Sequence, residues 1–356
     1  MGQTLWFKAL EKEKLAVRTA RDAAEVVGWL DTGNYALNWA ISGRFGRGYP
    51  LGHTVEVFGD PSTGKSFLLA RAMAMVQAMK GVALLDDTEG AYNVEWMASL
   101  GVNPDHLAYY QSRTVKDHLE VATAFLNAYS SLAAAGKVKG PGLLCCDSLA
   151  LLSTTHELEV RLEKKDMSKA AELKAFFRMV GGDINKLPVV HLSANHTIAN
   201  IGPGFQKRTT PGGGGPKFQA SVRIDLRSVI RLKKDDVGYV GVLCRAVVDK
   251  NRIAAPWKEV RLAIPFHQTI SPASGLIPCL LDLGILEEAG QFLRYKGKKT
   301  QLRTFKSKQS VLRQDEEAER LLDMIPEVLD EADEYLEEYT PTIQGSIPEG
   351  SEGEDE

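Results

Sequence analysis

Gly59-Asp60-Pro61-Ser62-Thr63-Gly64-Lys65-Ser66 satisfies the pattern G-x-x-x-x-G-K-[ST] in full. It lies between an apolar run, TVEVF, and a segment patterned as a helix, which is where such a loop must sit. Glycines let successive backbone N–H groups turn inward on phosphate oxygens, and the helix N-terminus adds positive potential. In a loop of this kind Lys65 reaches the outer phosphates and the Ser66 hydroxyl ligates Mg²⁺. A nucleoside triphosphate and Mg²⁺ are therefore expected.

Three further positions could complete that chemistry. Asp147 ends the apolar run LLCCD, where a carboxylate can hold the Mg²⁺ water shell. Glu89 follows the run VALLDD and could orient and deprotonate a water for attack on the γ-phosphate. Asp86 and Asp87 compete for that role on spacing alone, and an acidic turn without chemistry is the simpler reading of DDTE. Asn195-His196 ends another strand-like run, where a polar side chain could sense the γ-phosphate or serve structure only. No metal-ligand set surrounds His196, so zinc is not expected there.

These residues need a scaffold that brings strand ends to one edge. Strand-like segments at 53–59, 82–86, 143–147 and 189–195 alternate with helix-like segments at 65–79, 93–100, 115–135 and 157–180. That alternation predicts an α/β fold: a mostly parallel sheet with helices on both faces. SVRIDLRSVIRL and YVGVLCRAVVDK, joined by a polar turn at 234–238, predict a hairpin that extends the sheet with antiparallel strands. Residues 3–30 read as an amphipathic helix, and residues 276–288 as helical at the start of a smaller module. The expected divisions are an N-terminal helix over 1–32, a core over 33–270, a small basic module over 271–340, and a disordered acidic tail over 341–356.

Charge is divided as sharply as structure. The chain has 356 residues and a formal charge of only −3. Residues 315–356 carry −16, so residues 1–314 carry +13. A basic body with an acidic tail points to a polyanionic partner. Residues 289–314 hold eight Lys and Arg and no acid, with Phe292, Tyr295 and Phe305 among them, the clearest footprint for nucleic acid. Arg161, Lys164, Lys165, Lys169 and Lys174 form another cluster, interleaved with acids, that a solvated helix face would also explain. Lys207, Arg208 and Lys217 lie on the glycine-rich stretch 196–217, which can order around a nucleic-acid backbone. Cys145, Cys146, Cys244 and Cys279 are too few and wrongly spaced for a disulfide scaffold or a Cys-x-x-Cys site. Cys145 and Cys146 read as buried, reduced thiols. With no signal-peptide core and no membrane-length apolar run, a cytoplasmic location is expected.

The order of motifs resembles the RecA recombinase family, including phage-type UvsX recombinases. The resemblance spans roughly residues 31–300 and rests on TGNYALNWAI, VEVFGDPSTGKS, LLDDTEGAYN, LLCCDSLALL and SANHTIANIG. It continues through PGGGGPKFQASVRIDLR, KNRIAAPWK and DLGILEEAGQFLRYKGKK. It implies that Glu89 is the catalytic glutamate, and that Lys65, Ser66 and Asp147 hold ATP and Mg²⁺. It places Trp96 against adenine and His196 at the γ-phosphate sensor, with an Asn-His pair that resembles the phage branch. Lys250 and Arg252 match basic residues that reach a neighbouring subunit's ATP, and Phe218 matches an aromatic at that boundary.

Two DNA-binding loops carry over, at about 157–168 and 197–217. They contribute Arg161, Lys164, Lys165, Lys169, Lys207, Arg208, Gly213, Gly214 and Lys217. Arg227 and Arg245 match basic residues of a secondary DNA site, and the N-terminal helix resembles a segment that packs on an adjacent protomer. The resemblance thus implies a DNA-dependent ATPase that polymerises on single-stranded DNA and exchanges strands with homologous duplex, assisted by single-strand-binding and loader proteins. A hexameric helicase built on the same core, or a mediator without turnover, would share parts of this pattern. The first should lack KNRIAAPWK and the basic module; the second has no need of Lys65, Glu89 and Asp147 together.

Overall fold

The computed structural model describes residues 8–10, 12, 26–160, 168–199, 208–234, 236–305, 307 and 310–339. Most of the expected N-terminal helix lies outside these residues, as does the tail at 341–356. The far end of that helix is corrected: Trp29–Leu30 forms β1 and pairs antiparallel with β2, Tyr49–Pro50. Between them runs α1, Tyr35–Ser42, in a segment bounded by Gly33 and Gly43. Its ends are set by side-chain chemistry: Asn34 accepts the Leu37 N–H, and Gly43 closes the helix at a φ of 81°.

From there strands and helices alternate: β3 His53–Gly59, α2 Lys65–Ala78, β4 Val82–Asp87, α3 Val94–Ser99, β5 Leu107–Tyr110, α4 Val115–Ala134 and β6 Gly142–Asp147. Next come α5 Thr155–Val160, α6 Ser168–Ile184 and β7 Val189–His196. Residues 161–167, between α5 and α6, fall outside the described residues. Short β8 (Ile198–Ala199) and β9 (Arg208–Thr209) pair antiparallel across the undescribed 200–207. Helix α7, Gly214–Gln219, leads into the expected hairpin, β10 Val222–Lys234 and β11 Gly238–Asn251, followed by β12 Glu259–Pro265.

One eight-stranded sheet results, in the order β12-β11-β10-β3-β7-β6-β4-β5. Strands β10 through β5 run parallel, while β11 and β12 are antiparallel to their neighbours. The two-residue period of β6 distributes its side chains between two cores. Leu143 and Cys145 join the core with α1 and α2; Leu144 and Cys146 join that of α4 and α6. Helix α4 begins on a reciprocal capping box between Thr114 and Asp117.

The small module is not helical through 288. Helix α8 covers Leu276–Asp282; Gly284, at a φ of 73°, turns the chain, and β13 (Leu286–Ala289) opens a three-stranded antiparallel sheet. Its partners β14, Phe292–Tyr295, and β15, Lys298–Arg303, carry the basic stretch. Leu286, Leu293 and Leu302 face inward, an alternation that a helical reading of 276–288 misses. Helices α9, Val311–Met324, and α10, Val328–Tyr339, fold back on the core: Asp333 on α10 accepts the Phe45 N–H at 2.8 Å. Among the described residues, no helix is long and apolar enough to cross a membrane.

Candidate functional site

Register brings the expected residues to one edge. Gly59 at the end of β3 pairs with His196 at the end of β7, and Asp87 on β4 pairs with Asp147 on β6. The loop between β3 and α2 is held tightly. A Cβ on Gly59 would stand 2.3 Å from the Leu226 carbonyl, and Gly64 adopts a φ of 96° against Ile264. Thr63 closes the turn on the Asp60 carbonyl, and Asp60 also accepts from Thr197. The Lys65 ammonium donates to the carbonyls of Gly59 at 3.1 Å and Asp60 at 2.9 Å. Burial pulls its pKa down, opposed by the charges of Asp147, Glu89 and Asp60. A cation held in partial desolvation among carbonyls is suited to transfer onto phosphate oxygens.

Asp147 is nearly fully buried, and burial pushes its carboxyl up, while hydrogen bonds from Ser66 and Tyr92 pull it back down. The Tyr92 hydroxyl lies 3.0 Å from Asp147 Oδ2. A hydroxyl and a desolvated carboxylate side by side are a fitting oxygen donor set for Mg²⁺. The three acids after β4 separate by their partners. Asp86 accepts from the Ser112 N–H and from His118, away from the edge. Asp87 accepts the Gly90 N–H at 2.8 Å and the Tyr109 hydroxyl at 3.1 Å, so it holds the turn. Glu89 alone among them borders the cavity, its Oε1 accepting from Ser148 Oγ at 2.9 Å and lying 2.8 Å from His196 Nε2. Asn195 is buried on Glu56, so His196, not Asn195, faces the opening.

The cavity, about 390 Å³, is lined by Pro61, Ser62, Gly64, Lys65, Ser66, Glu89, Trp96, Asp147 and His196. Phe266 and Pro265 at the end of β12 form its far wall. Sequence reasoning missed these two, and also Tyr92 and Ser148. Tyr92 was within reach as an aromatic inside LLDDTEGAYN, but nothing local marks Phe266, 200 residues from the loop.

Lys250 and Arg252 are not brought to this cavity. Lys250 donates to the carbonyls of Lys217 and Phe218 at 3.0 and 2.8 Å, and Arg252 to that of Phe218 at 2.7 Å. Burial, with Arg252 adjacent, pulls Lys250 down to about 8. They sit together at the carbonyl end of α7, beside an exposed Phe218 ring. Of the expected DNA-facing residues, Arg161, Lys164, Lys165 and Lys207 lie outside the described residues. Arg208 falls on β9, and Gly213 and Gly214 lead into α7, where Lys217 is exposed. Lys169 is half-buried and donates to the Ala150 carbonyl at 2.6 Å. Arg227 and Arg245 are register partners across β10 and β11, tied to Asp225 and Glu259 respectively. Arg261 on β12 extends the row as the register partner of Arg245.

The family model described as RecA N-terminal domain matches residues 8–271. The chain is similar to Protein RecA of Streptococcus parasanguinis, 31% identical over 341 residues, covering 92% of this chain and 81% of the relative. It is likewise 30% identical to Protein RecA of Streptococcus pneumoniae strain TIGR4, over 92% of this chain and 80% of the relative.

Proposed function

This chain belongs to the RecA family, and from that premise we propose that it is an ATP-dependent recombinase that polymerises on single-stranded DNA and exchanges strands with homologous duplex. The observation that carries the reading is a separation. Lys65, Ser66, Asp147, Glu89 and His196 converge on one cavity, while Lys250, Arg252 and Phe218 lie together elsewhere on the surface. A site completed by cations from the next protomer ties ATP binding to assembly, as an arginine finger does.

In this reading the loop N–H groups and Lys65 hold the triphosphate, and Trp96 packs on the base. Ser66 and Asp147 hold Mg²⁺, which neutralises phosphate charge when bound. Glu89, aligned by Ser148 and His196, orients a water and accepts its proton. His196 touches Glu89 and is the last residue of β7, immediately before 197–217, so it can report the nucleotide's state to a DNA-binding loop. Specificity comes from base pairing, and the protein holds backbones through the basic residues of the loops and of the Arg227–Arg245 row. Single-strand-binding and loader proteins are the partners such a filament requires.

Joint-molecule formation between homologous single- and double-stranded DNA, with and without ATP, tests the proposal. ATP-dependent joint molecules are expected. Ring-shaped particles in negative stain, with unwinding but no pairing, would replace it with a helicase. DNA binding without ATP turnover would replace it with a mediator.

A further inference from the structure

Three residues before Gly59 on β3 stands Glu56, and its register partner on β10 is Arg223. Glu56 is completely buried and Arg223 is only 4% exposed, yet neither lines the nucleotide cavity. Arg223 Nε donates to Glu56 Oε2 at 2.5 Å, and the guanidinium carbon stands 4.2 Å from the centre of the Phe58 ring. The two outer nitrogens reach different segments. Nη1 donates to Asp249 Oδ2 on β11 at 3.1 Å, and Nη2 to Thr210 Oγ1 at 3.3 Å. The other Glu56 oxygen, Oε1, accepts from Asn195 Nδ2 on β7 at 2.8 Å.

The partners of this pair lead to three segments that the function uses. Asn195, fully buried, also donates to the Pro211 carbonyl at 3.2 Å and accepts the His196 N–H on Oδ1 at 3.0 Å. Thr210 and Pro211 belong to the far end of the 197–217 segment. Asp249 immediately precedes Lys250, which is the β11 register partner of Arg223. A planar guanidinium holds several acceptors in fixed directions, which an ammonium does not. In a dry interior an ion pair adds little over packed apolar side chains of equal volume, but separating its members strands a buried charge. A displacement of His196 that carries Asn195 with it must therefore be followed by Glu56 and Arg223, and through them by Thr210.

We propose that Glu56 and Arg223 are positioning residues that pass the nucleotide's state from His196 to the 197–217 segment, by holding Asn195, Thr210 and Asp249 in one rigid arrangement. The proposal rests on the recombinase reading, in which His196 meets the γ-phosphate and 197–217 meets DNA. Neither Glu56 nor Arg223 touches either ligand; both act through the residues they hold. A packed, fully paired cluster shifts as a unit between discrete arrangements instead of deforming gradually, which suits the passing of a binding event.

The test is the affinity of the full chain for a labelled single-stranded oligonucleotide, measured once with ADP and once with a non-hydrolysable ATP analogue. The wild type should bind more tightly with the analogue, and the ratio of the two affinities is the readout. Arg223→Lys keeps a positive charge for Glu56 but cannot also span Thr210 and Asp249. Its ratio should fall toward one while binding of the ATP analogue persists. Glu56→Leu with Arg223→Met replaces the pair by apolar side chains of similar volume, and Asn195 keeps the Pro211 carbonyl. Urea unfolding should then show no loss of stability, while the ratio again falls toward one. A merely structural pair would leave the ratio intact in any variant that folds. A wild-type ratio in either folded variant overturns the proposal and leaves the recombinase reading standing. Equal DNA affinity with both nucleotides in the wild type overturns both.

Discussion

Glu89 is set apart from Asp86 and Asp87 by what each touches, and not by its place in the sequence. The two aspartates are committed to His118, Ser112, Gly90 and Tyr109, so neither is available to a water in the cavity. Glu89→Gln keeps the shape and a hydrogen bond to Ser148 while removing the base. ATP and DNA binding should persist, hydrolysis should fall by roughly 10²–10⁴-fold, and filaments should outlast those of the wild type. A malachite-green phosphate assay alongside nucleotide binding checks this; near-normal turnover would remove Glu89 from the role. The phosphate loop was legible at this scale because its chemistry requires fixed spacing within eight residues. The pairing of Asp86 with His118 was not, because those residues are 32 apart and only α4 packing on β4 joins them.

Elements were legible where periodicity and context agreed. The core strands and α2, α4 and α6 follow their apolar patterns, because each buries one face on a sheet buried on both sides. The failures share a cause: short elements whose signal lies in their caps. Helix α1 is set by Asn34 and Gly43, and α8 is ended by Gly284, neither of which disturbs apolar spacing much. The junction of α8 and α9 yields a prediction. Asp315 on α9 is buried against Ser274 and Gly275, and burial pushes its carboxyl from 3.8 up to about 6. A raised pKa favours the protonated form in the folded state. Its contribution is therefore present below about pH 4 and lost as pH rises through about 6. Asp315→Asn should stabilise the protein at pH 7–8 by on the order of 2–3 kcal/mol, with the advantage vanishing near pH 4. Urea titrations of both proteins across that range would show it; an equal difference at every pH would exclude the linkage.

At the scale of the whole molecule, charge and assembly decide behaviour. Lys250 and Arg252 lie away from their own chain's nucleotide cavity, so the proposed role for them is at the ATP of a neighbouring protomer. Lys250→Ala with Arg252→Ala should abolish DNA-stimulated ATPase while sparing nucleotide binding by dispersed protomers. Mixing that variant with Lys65→Ala protein should restore part of the activity through hybrid interfaces. No recovery at any ratio, with co-assembly demonstrated, would reject the shared site. The acidic end has two parts that the overall charge conceals. Three of the six acids of α10 are engaged within the fold: Asp333 holds the Phe45 N–H, Glu331 pairs with Lys296 at 2.6 Å, and Glu337 with Arg44 at 3.5 Å. Residues 341–356 add Glu349, Glu352, Glu354, Asp355 and Glu356 with no base and no apolar pattern. Following α10, which contacts Lys296 in the basic module, such a segment is expected to compete with phosphate for the cations of 289–314. On this hypothesis, deleting 341–356 removes the competitor while leaving the α10 contacts in place. Duplex binding should then tighten several-fold in low salt, and the gain should fade above 0.1 M, where the Debye length falls to about 10 Å. Salt titrations of duplex binding by full-length and truncated protein decide it: superimposable curves at low salt would leave the tail with no part in DNA competition.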